Sequence, residues 1–554
     1  MNKKVCSFPI LFALLALLIG TCAVVFPASA QAAPTSTGSI TVSGTVASSY
    51  DAYQIFSANV VDGDSDAKIA TDLAWASDAA RDAVLPVLHS AGMPNSQTTA
   101  QEAAEWLNTD SHLTSALSAQ LARSLQSSGA EFVALNAGTA AELPCGYWLI
   151  VAKDDAIAQG EVGTAPIMAL VGGSAVTVKP KAATPKVAKH VLEDGTASWQ
   201  KAADATVGDD LYWRLSATVP AGLTAYDTYT VRFVDTMGAG LDPSKVAASM
   251  RVYVAAGADG GFGAVSAGKD GRAGTEPAKG WTDITAQCRV SVEGSSFTVR
   301  TGDLIAALGG ADAFTAGARV VAVYNAPLNG ACNHGIAKGN PNEVYLRYPR
   351  SPFADQSGDA GFTRTPSDDA CAYTWDLALT KRGSDGDKPL AGAVLSIADD
   401  RGRTLAADGM WDAEGKATVT TGEDGRVTVS GVDSGKLEVR ELKAPKGYNA
   451  FEGTRSVTVK AEGLDVDQVA AAKPKLTITA ESPLRADSAD GSTGSLEASL
   501  INTPTGTPPS ITTGGFMPST GDMAMYAAAA AAVAGAALIV VALLVKRGGG
   551  SHKE

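Results

Sequence analysis

The first part of the chain changes from strand-like to helical patterning and back again. The strand-like segments are residues 40–44, 53–56, 147–151 and 175–178. Between residues 66 and 125, apolar side chains recur at spacings of three and four, which is typical of amphipathic helices. The pattern predicts a β-sandwich domain over residues 31–178 that carries a helical insertion.

Alternating apolar and polar residues predict two further β domains, over residues 187–352 and 373–504. Between the domains lie residues 179–186, which are rich in Pro and Lys, and residues 353–372, which are polar and contain Pro and Gly. Proline restricts strand pairing, so residues 179–186 are predicted to be an exposed linker. Residues 353–372 are predicted to be the next linker.

Both ends of the chain carry apolar segments that predict export. Residues 1–30 combine a short basic start, an apolar run and a small-residue ending, as in a secretory signal peptide. Residues 522–545 are long enough to cross a bilayer, and the basic tail 546–554 is typical of the cytoplasmic side. A retained N-terminal membrane helix and a permanent C-terminal anchor are the alternatives.

Composition narrows the function classes. The formal net charge of −14 disfavours nucleic acid as a partner. The five His residues show no paired metal-ligand spacing, and no nucleotide-binding loop or nucleophile motif is present. No metal, cofactor or enzymatic activity is therefore predicted. A wall-anchored enzyme with paired carboxylates stays an alternative, although nothing in the sequence places such a pair.

Four cysteines follow the predicted signal peptide, at positions 145, 288, 332 and 371. Disulfides are permitted outside the cell, and Cys332 with Cys371 is the preferred pair. Pairing cannot be read from sequence, so two of the four as free thiols is the alternative.

The residues just before the C-terminal apolar segment resemble a cell-wall sorting signal. Within the predicted stalk 505–521 they read Met517, Pro518, Ser519, Thr520 and Gly521. This is similar to the LPxTG pattern with Met in place of Leu. The resemblance implies that a sortase cysteine attacks the Thr520–Gly521 bond and holds Thr520 as a thioester until an amine takes over the acyl group. Because Pro disfavours helix in the residue before it, the signal is expected to be extended.

Residues 373–504 resemble a SpaA-type, CnaB-like prealbumin module. The match lies at residues 379–381, 388–393, 439–448 and 500–504. In that family a first-strand Lys attacks the carboxamide of a last-strand Asn while a Glu assists. The resemblance implies a bond between Lys381 and Asn502, with Glu441 as the proton shuttle. Burial would favour the neutral, nucleophilic amine. The alternative is that the three are ordinary surface or salt-bridged residues.

The middle domain resembles the fimbrial isopeptide-forming module that precedes such a C-terminal domain. The match lies at residues 186–191, 323–329, 339–342 and 348–352. The resemblance implies a crosslink from Lys189 to an Asn near the last of these segments, with Asp235 as the assisting acid. Arg350 stands where that Asn is expected, so the bond is predicted to be absent. Asn325 is a less favoured substitute.

Residues 179–182 resemble the pilin motif, usually Tyr-Pro-Lys-Asn, in Pro180 and Lys181 but not in the flanks. The resemblance implies that Lys181 supplies the amine that resolves the Thr520 thioester of another subunit. Lys179 and Lys186 are competitors, and a solvated linker lysine without this role is the alternative.

Together these resemblances imply a Gram-positive, sortase-assembled pilin, the major backbone subunit of a fimbrial shaft. The implied fold is mainly β, with serial immunoglobulin-like or CnaB-like (prealbumin-like) β-sandwich domains, the first with a helical insertion. The implied partners are pilin-specific and housekeeping sortases, identical pilin subunits, peptidoglycan and host-surface ligands, with membrane contact only before sorting. The implied location is the cell surface, anchored to the wall. A monomeric wall-anchored adhesin and a minor tip or base pilin are the alternatives.

Overall fold

The computed structural model describes residues 36–64, 67–109, 111–180, 184–221, 223–257 and 279–506. These residues are mainly β and form sheets in three successive domains, which confirms the predicted fold class. Over the described ranges, no helix has the length and apolar character needed to cross a membrane. The predicted signal peptide, membrane segment and basic tail lie outside these ranges.

The first domain is built around one sheet that is covered by a different layer on each face. Its elements are β1 (Thr37–Val42), β2 (Ser49–Asp62), β3 (Lys68–Trp75), α1 (Asp78–Ser90), α2 (Ala100–Asn108), α3 (Ser115–Ser128), β4 (Val133–Asn136), β5 (Ala140–Pro144), β6 (Gly146–Ala152), β7 (Ile167–Val171) and β8 (Val176–Val178). The central sheet has the order β3-β2-β6-β7, with β4 also paired to β2. Successive side chains of a strand point to opposite faces. Tyr53 and Ile55 of β2 therefore pack against the helices, whereas Tyr50 and Ala52 pack against the sheet β5-β1-β8.

The helical insertion is shorter than the sequence pattern predicts. Residues 68–75 were predicted to be helical, but they form β3, which pairs antiparallel with β2. Pairing with the long neighbouring strand overrides the local helical spacing. The helices themselves have ordinary ends, since Thr99 and Glu102 form a capping box at the start of α2. Gly129 closes α3 with a φ of 69°, a conformation that favours glycine.

The middle domain is a sandwich of two sheets around a large apolar core. Its elements are β9 (Val187–Glu193), β10 (Ser198–Gln200), β11 (Ala202–Asp204), β12 (Tyr212–Thr218), β13 (Arg232–Met237), α4 (Val246–Ser249), β14 (Arg251–Ala255), β15 (Trp281–Asp283), β16 (Arg289–Glu293), β17 (Ser296–Arg300), α5 (Leu304–Ala307), β18 (Arg319–Asn325), β19 (Asn340–Pro349), β20 (Phe362–Arg364) and β21 (Asp368–Tyr373). One sheet has the order β10-β9-β12-β18-β14-β15. The facing sheet has the order β11-β21-β19-β13-β17-β16, with β20 also paired to β19.

The predicted linker over residues 353–372 is wrong for its second half. Residues 362–364 and 368–373 form β20 and β21, and both strands pair antiparallel with β19. Backbone pairing to an existing strand, together with burial of Ala370 and Ala372 in the core, outweighs the polar composition of this segment. The middle domain therefore continues to Tyr373.

The third domain is also a sandwich of two sheets, and its apolar core is smaller than that of the middle domain. Its elements are β22 (Trp375–Gly383), β23 (Val394–Ala398), β24 (Thr404–Leu405), β25 (Trp411–Asp412), β26 (Val419–Thr420), β27 (Arg426–Val432), β28 (Gly435–Lys443), β29 (Thr454–Glu462), β30 (Lys475–Ala480), β31 (Leu484–Asp490) and β32 (Ser495–Asn502). One sheet has the order β27-β22-β32-β31, in which β22 and β32 run parallel. The facing sheet has the order β25-β24-β23-β28-β29-β30, with β26 also paired to β23.

Polar contacts join the middle and third domains. The Asp204 carboxylate accepts hydrogen bonds from the Trp375 indole at 2.6 Å and the Ser434 backbone N–H at 2.9 Å. Burial is the main cause that raises the pKa of Glu193 to about 8 and the pKa of Asp433 well above its ordinary value, and the nearby Asp204 charge adds to both shifts. The middle and third domains are thus joined by hydrogen bonds to Asp204 as well as by the chain itself.

Candidate crosslinking sites

The third domain brings Lys381, Glu441 and Asn502 together in its core. Lys381 lies on β22 and Asn502 on the neighbouring parallel strand β32. Lys381 is opposite Leu500, and Asn502 is opposite Gly383, so the two side chains are diagonal neighbours on one face of the sheet. Glu441 comes from β28 in the facing sheet. All three side chains are buried, so the surface half of the alternative is wrong. The salt-bridged half stays open, because Lys381 and Glu441 are within ion-pair distance.

Hydrogen bonds in this cluster place an amine against a carboxamide. The Lys381 Nζ donates to Asn502 Oδ1 and lies 3.1 Å from Glu441 Oε1. The Asn502 Nδ2 donates to both carboxylate oxygens of Glu441, at 2.9 and 3.0 Å. Burial lowers the pKa of Lys381 to about 8, against the opposing effect of Glu441. The neutral amine that a nucleophile requires is therefore accessible near neutral pH.

The middle domain holds a second cluster of the same chemical type. Lys189 on β9 and Tyr324 on β18 project from one sheet. Asp235 on β13 and Asn342 on β19 project from the facing sheet, where Asn342 is opposite Met237. All four side chains of the cluster are fully buried or nearly so. A lysine, an acid and a carboxamide thus meet in a second apolar core.

The Lys189 cluster differs from the Lys381 cluster in how its groups are connected. Lys189 Nζ donates to Asp235 Oδ2 and, at 3.0 Å, to the Tyr324 hydroxyl. The hydroxyl donates to Asp235 Oδ2 at 3.1 Å and accepts from Asn342 Nδ2 at 2.9 Å. Burial lowers the pKa of Lys189 to about 8 and raises the pKa of Asp235. Both shifts favour the neutral forms of a nucleophile and an acid.

The two electrophile positions considered from the sequence lie away from Lys189. Arg350 donates from its guanidinium to the backbone oxygen of Asp154 at 3.2 Å, in the first domain. Asn325 donates to Asp210 Oδ1 at 2.6 Å and accepts from the Leu211 backbone N–H at 3.0 Å. The prediction that the middle domain has no carboxamide for Lys189 is therefore wrong, because Asn342 lies in the cluster.

Asn342 carried a sequence signal that the reasoning from the family motif passed over. Along β19, inward and outward positions alternate, and Val344, Leu346 and Tyr348 are buried. Asn342 has the same parity as these apolar residues, so it must point into the core. A carboxamide on the buried face of a strand needs polar partners, which the lysine cluster supplies.

The predicted pilin-motif lysine and the predicted sorting signal lie outside the described residues. The lysine is Lys181, and the five residues of the signal are Met517, Pro518, Ser519, Thr520 and Gly521. Their roles stay predictions.

The predicted disulfide between Cys332 and Cys371 is not formed. Both are free thiols, as are Cys145 and Cys288. Cys371 is buried beside the Ala372 carbonyl, whereas Cys332 lies 3.6 Å from His334 Nε2, so each sulfur has a different neighbour. Over the described ranges, no three His, Cys, Asp or Glu side chains are arranged to hold a metal ion.

The sequence of the third domain matches a known domain family. Residues 376–473 match SpaA, described as a prealbumin-like fold domain. This match covers β22 and β28, which carry Lys381 and Glu441. Residues 376–473 therefore belong to the SpaA-type prealbumin-like domains.

The chain is similar in sequence to one curated surface protein and in fold to solved pilin structures. The trypsin-resistant surface T6 protein of Streptococcus pyogenes serotype M6 is 30% identical over 143 residues, which are 24% of this chain and 24% of that protein. The chain thus matches about a quarter of this curated relative's length. The T6 backbone pilin structure of serotype M6 S. pyogenes has a TM-score of 0.45 at 17% identity, covering 85% of this chain and 98% of that one. The major pilin SpaD of Corynebacterium diphtheriae has a TM-score of 0.40 at 15% identity, also covering 85% and 98%.

Proposed function

We propose that this chain is the structural shaft subunit of a covalently polymerised surface pilus. The observation that carries the proposal is the pair of buried lysine–acid–asparagine clusters in two successive β domains. The SpaA-type domain and the relation to the T6 surface protein support the same function. The protein acts as a building element and catalyses no reaction on an external substrate.

In the third domain, Lys381 forms an isopeptide bond with Asn502. The neutral Nζ attacks the carboxamide carbon, the bond from that carbon to Nδ2 breaks, and ammonia leaves. Glu441, which contacts both nitrogens, takes the proton that Nζ loses and supplies the proton that Nδ2 gains. The fold holds the groups together, and such positioning is worth an effective concentration on the order of 10⁵ M or more.

In the middle domain, Lys189 forms the corresponding bond with Asn342, and Asp235 is the assisting acid. The reaction again releases one ammonia. The support is the full burial of amine and carboxamide in one cluster, where an unreacted lysine is costly to keep charged.

Both internal bonds suit a fibre that carries tension. Lys381 is on the first strand of its domain and Asn502 on the last, and these strands are adjacent. Lys189 is likewise on the first strand of the middle domain, whereas Asn342 is on a late strand of the facing sheet. Force entering one end of each domain then passes through an amide bond instead of through the hydrogen bonds of the sheets.

Subunits are joined by a sortase that cleaves after Thr520 and transfers it to Lys181 of the next subunit. A pilin-specific sortase builds the fibre and a housekeeping sortase attaches it to peptidoglycan, so the protein is in a membrane only before sorting. The polymer is exposed at the cell surface, where host-surface ligands are within its reach.

The mature protein is expected to be lighter than its sequence mass by two molecules of ammonia. Each internal bond releases one, and the two clusters react independently because they lie in different cores. Intact-mass spectrometry of the monomer measures the loss, and peptide mapping assigns it to Lys189–Asn342 and Lys381–Asn502. A mass equal to that of the unmodified sequence would reject both bonds.

Surface extracts boiled in detergent are expected to show a ladder of covalent multimers on a gel. Covalent bonds survive such denaturation and a reducing agent in the sample breaks any disulfide between the free thiols, so the ladder reports amide-linked subunits. A single monomer band from wild-type cells would instead favour the wall-anchored adhesin. Antibody labelling along the fibre, as opposed to at its end, separates a shaft subunit from a tip or base subunit.

A further inference from the structure

The Tyr324 hydroxyl is the meeting point of the Lys189 cluster. It lies 3.0 Å from Lys189 Nζ, 3.1 Å from Asp235 Oδ2 and 2.9 Å from Asn342 Nδ2. It accepts from the two nitrogens and donates to the carboxyl oxygen, so its one donor and both its lone pairs are engaged. A single oxygen thereby contacts the attacking nitrogen, the departing nitrogen and the acid.

The third domain makes the same connection without a hydroxyl. There Glu441 bonds Asn502 Nδ2 directly through both carboxylate oxygens. The ring of Phe451, which has no polar atom, has its centroid 5.9 Å from Lys381 Nζ.

Asp235 is one methylene shorter than a glutamate. Among the described residues, the one side-chain hydrogen bond of Asn342 goes to Tyr324, and Asn342 Oδ1 and Asp235 Oδ1 have no hydrogen-bond partner. Tyr324 therefore spans the gap between the acid and the carboxamide that the longer side chain closes in the third domain.

We propose that Tyr324 is a catalytic residue of crosslink formation in the middle domain, where its hydroxyl relays a proton from Asp235 to the departing nitrogen of Asn342. The role rests on the proposed Lys189–Asn342 bond. Lys189 Nζ bonds to the carboxamide carbon, and the bond from that carbon to Nδ2 breaks. Asp235 enters the reaction protonated, and the Tyr324 hydroxyl turns from Asp235 Oδ2 towards Nδ2. Tyr324 then gives its proton to Nδ2 and takes one from Asp235, and Asp235 takes the proton that Nζ loses. Ammonia leaves, and both Tyr324 and Asp235 end as they began.

The surroundings of Tyr324 suit a relay group that is protonated before the reaction starts. Burial raises the pKa of Tyr324 well above its ordinary value. The ring is fixed by edge-to-face packing on Phe297, with centroids 4.7 Å apart. The hydroxyl is consequently held in place and protonated when the amine attacks.

Tyr324→Phe in the full mature chain is expected to slow formation of the Lys189–Asn342 bond about 100-fold, the lower range for loss of a positioned acid–base group. At the earliest time at which the wild type shows the loss of two molecules of ammonia, the variant is expected to show the loss of one, at Lys381–Asn502. Tyr348→Phe is the matched control, because Tyr348 is buried in the same domain and its hydroxyl donates to Gly160 O at 2.8 Å, away from the cluster. The control is expected to lose both molecules of ammonia.

The outcomes separate the relay from the crosslink itself. If the wild-type chain lacks the Lys189–Asn342 bond, both the proposed bond and the proposed relay are wrong. If the wild-type chain loses two molecules of ammonia and the Tyr324→Phe chain loses two at the same rate, the relay is wrong and the bond stands.

A second measurement covers a Tyr324→Phe chain that does not fold. Wild-type protein in which tyrosine is replaced by 3-fluorotyrosine has a more acidic phenol but an intact hydroxyl. After a labelling pulse, the rate of ammonia loss at the middle site relative to the third site is expected to change, and an unchanged ratio contradicts the relay.

Discussion

Replacement of Asn502 by alanine is expected to lower the free energy of unfolding of the third domain by about 4–5 kcal/mol. Without the carboxamide no bond to Lys381 forms, and the unfolded chain is no longer closed into a loop across a sequence separation of 121 residues. A covalent link across a loop of that size restricts the unfolded state by about this free energy. Denaturant unfolding of the purified monomer measures the change.

Asn449→Ala is the matched control for this prediction. Asn449 is an exposed asparagine of the same domain, and its Nδ2 donates to the Pro504 carbonyl at 3.2 Å. Its removal is expected to change the free energy of unfolding by about 0.5 kcal/mol or less and to leave the mass loss unchanged. If Asn502→Ala proves as stable as Asn449→Ala, no bond joins Lys381 to Asn502. Intact mass on the same samples ties any destabilisation to the missing bond.

The third-domain site could be predicted from sequence because its residues lie within a continuous family pattern. Lys381 and Asn502 stand on the first and last strands, and Glu441 stands in a segment with its own motif. Sequence could not show that β22 and β32 are neighbours, which is what turns these positions into a contact. Their burial and the lowered lysine pKa follow from the facing sheet and needed the structure.

In the middle domain, the family motif did not predict the asparagine that lies in the Lys189 cluster. The family pattern pointed to the position of Arg350, whereas strand alternation along β19 would have pointed to Asn342. Tyr324 carries no such signal, because its hydroxyl reaches Asn342 only through the packing of two facing sheets. Contacts across a sandwich depend on how the sheets are stacked, and periodicity within one strand does not contain that information.

Segment composition was a weaker guide than strand pairing. Residues 362–373 are polar enough to suggest a linker, yet they contain β20 and β21, which both pair with β19 in one sheet of the middle domain. Residues 68–75 have helical spacing, yet they pair with β2. In both cases the partner strand is long, with 14 residues in β2 and 10 in β19, so pairing with it outweighs the local pattern.

Lys181→Ala is expected to reduce the ladder of covalent multimers to a monomer band. The thioester formed at Thr520 needs an amine from another subunit, and alanine offers none. The internal bonds do not depend on Lys181, so the monomer is still expected to be lighter by two molecules of ammonia. Detergent extracts of surface material, run on a gel beside intact-mass spectra, measure both properties in one preparation.

Lys179→Ala and Lys186→Ala are the matched controls, since each removes one lysine from the same linker, residues 179–186. Both side chains are exposed, and the Lys186 backbone N–H donates to Thr218 Oγ1 at 2.8 Å, a bond that the substitution retains. Each control is expected to keep the full ladder. A ladder that survives in Lys181→Ala and disappears in one of the controls would move the acceptor to that lysine. Loss of the ladder only when all three lysines are replaced would show that the sortase accepts any amine in this linker. The position of the linker, and not the motif around Lys181, would then determine where subunits are joined.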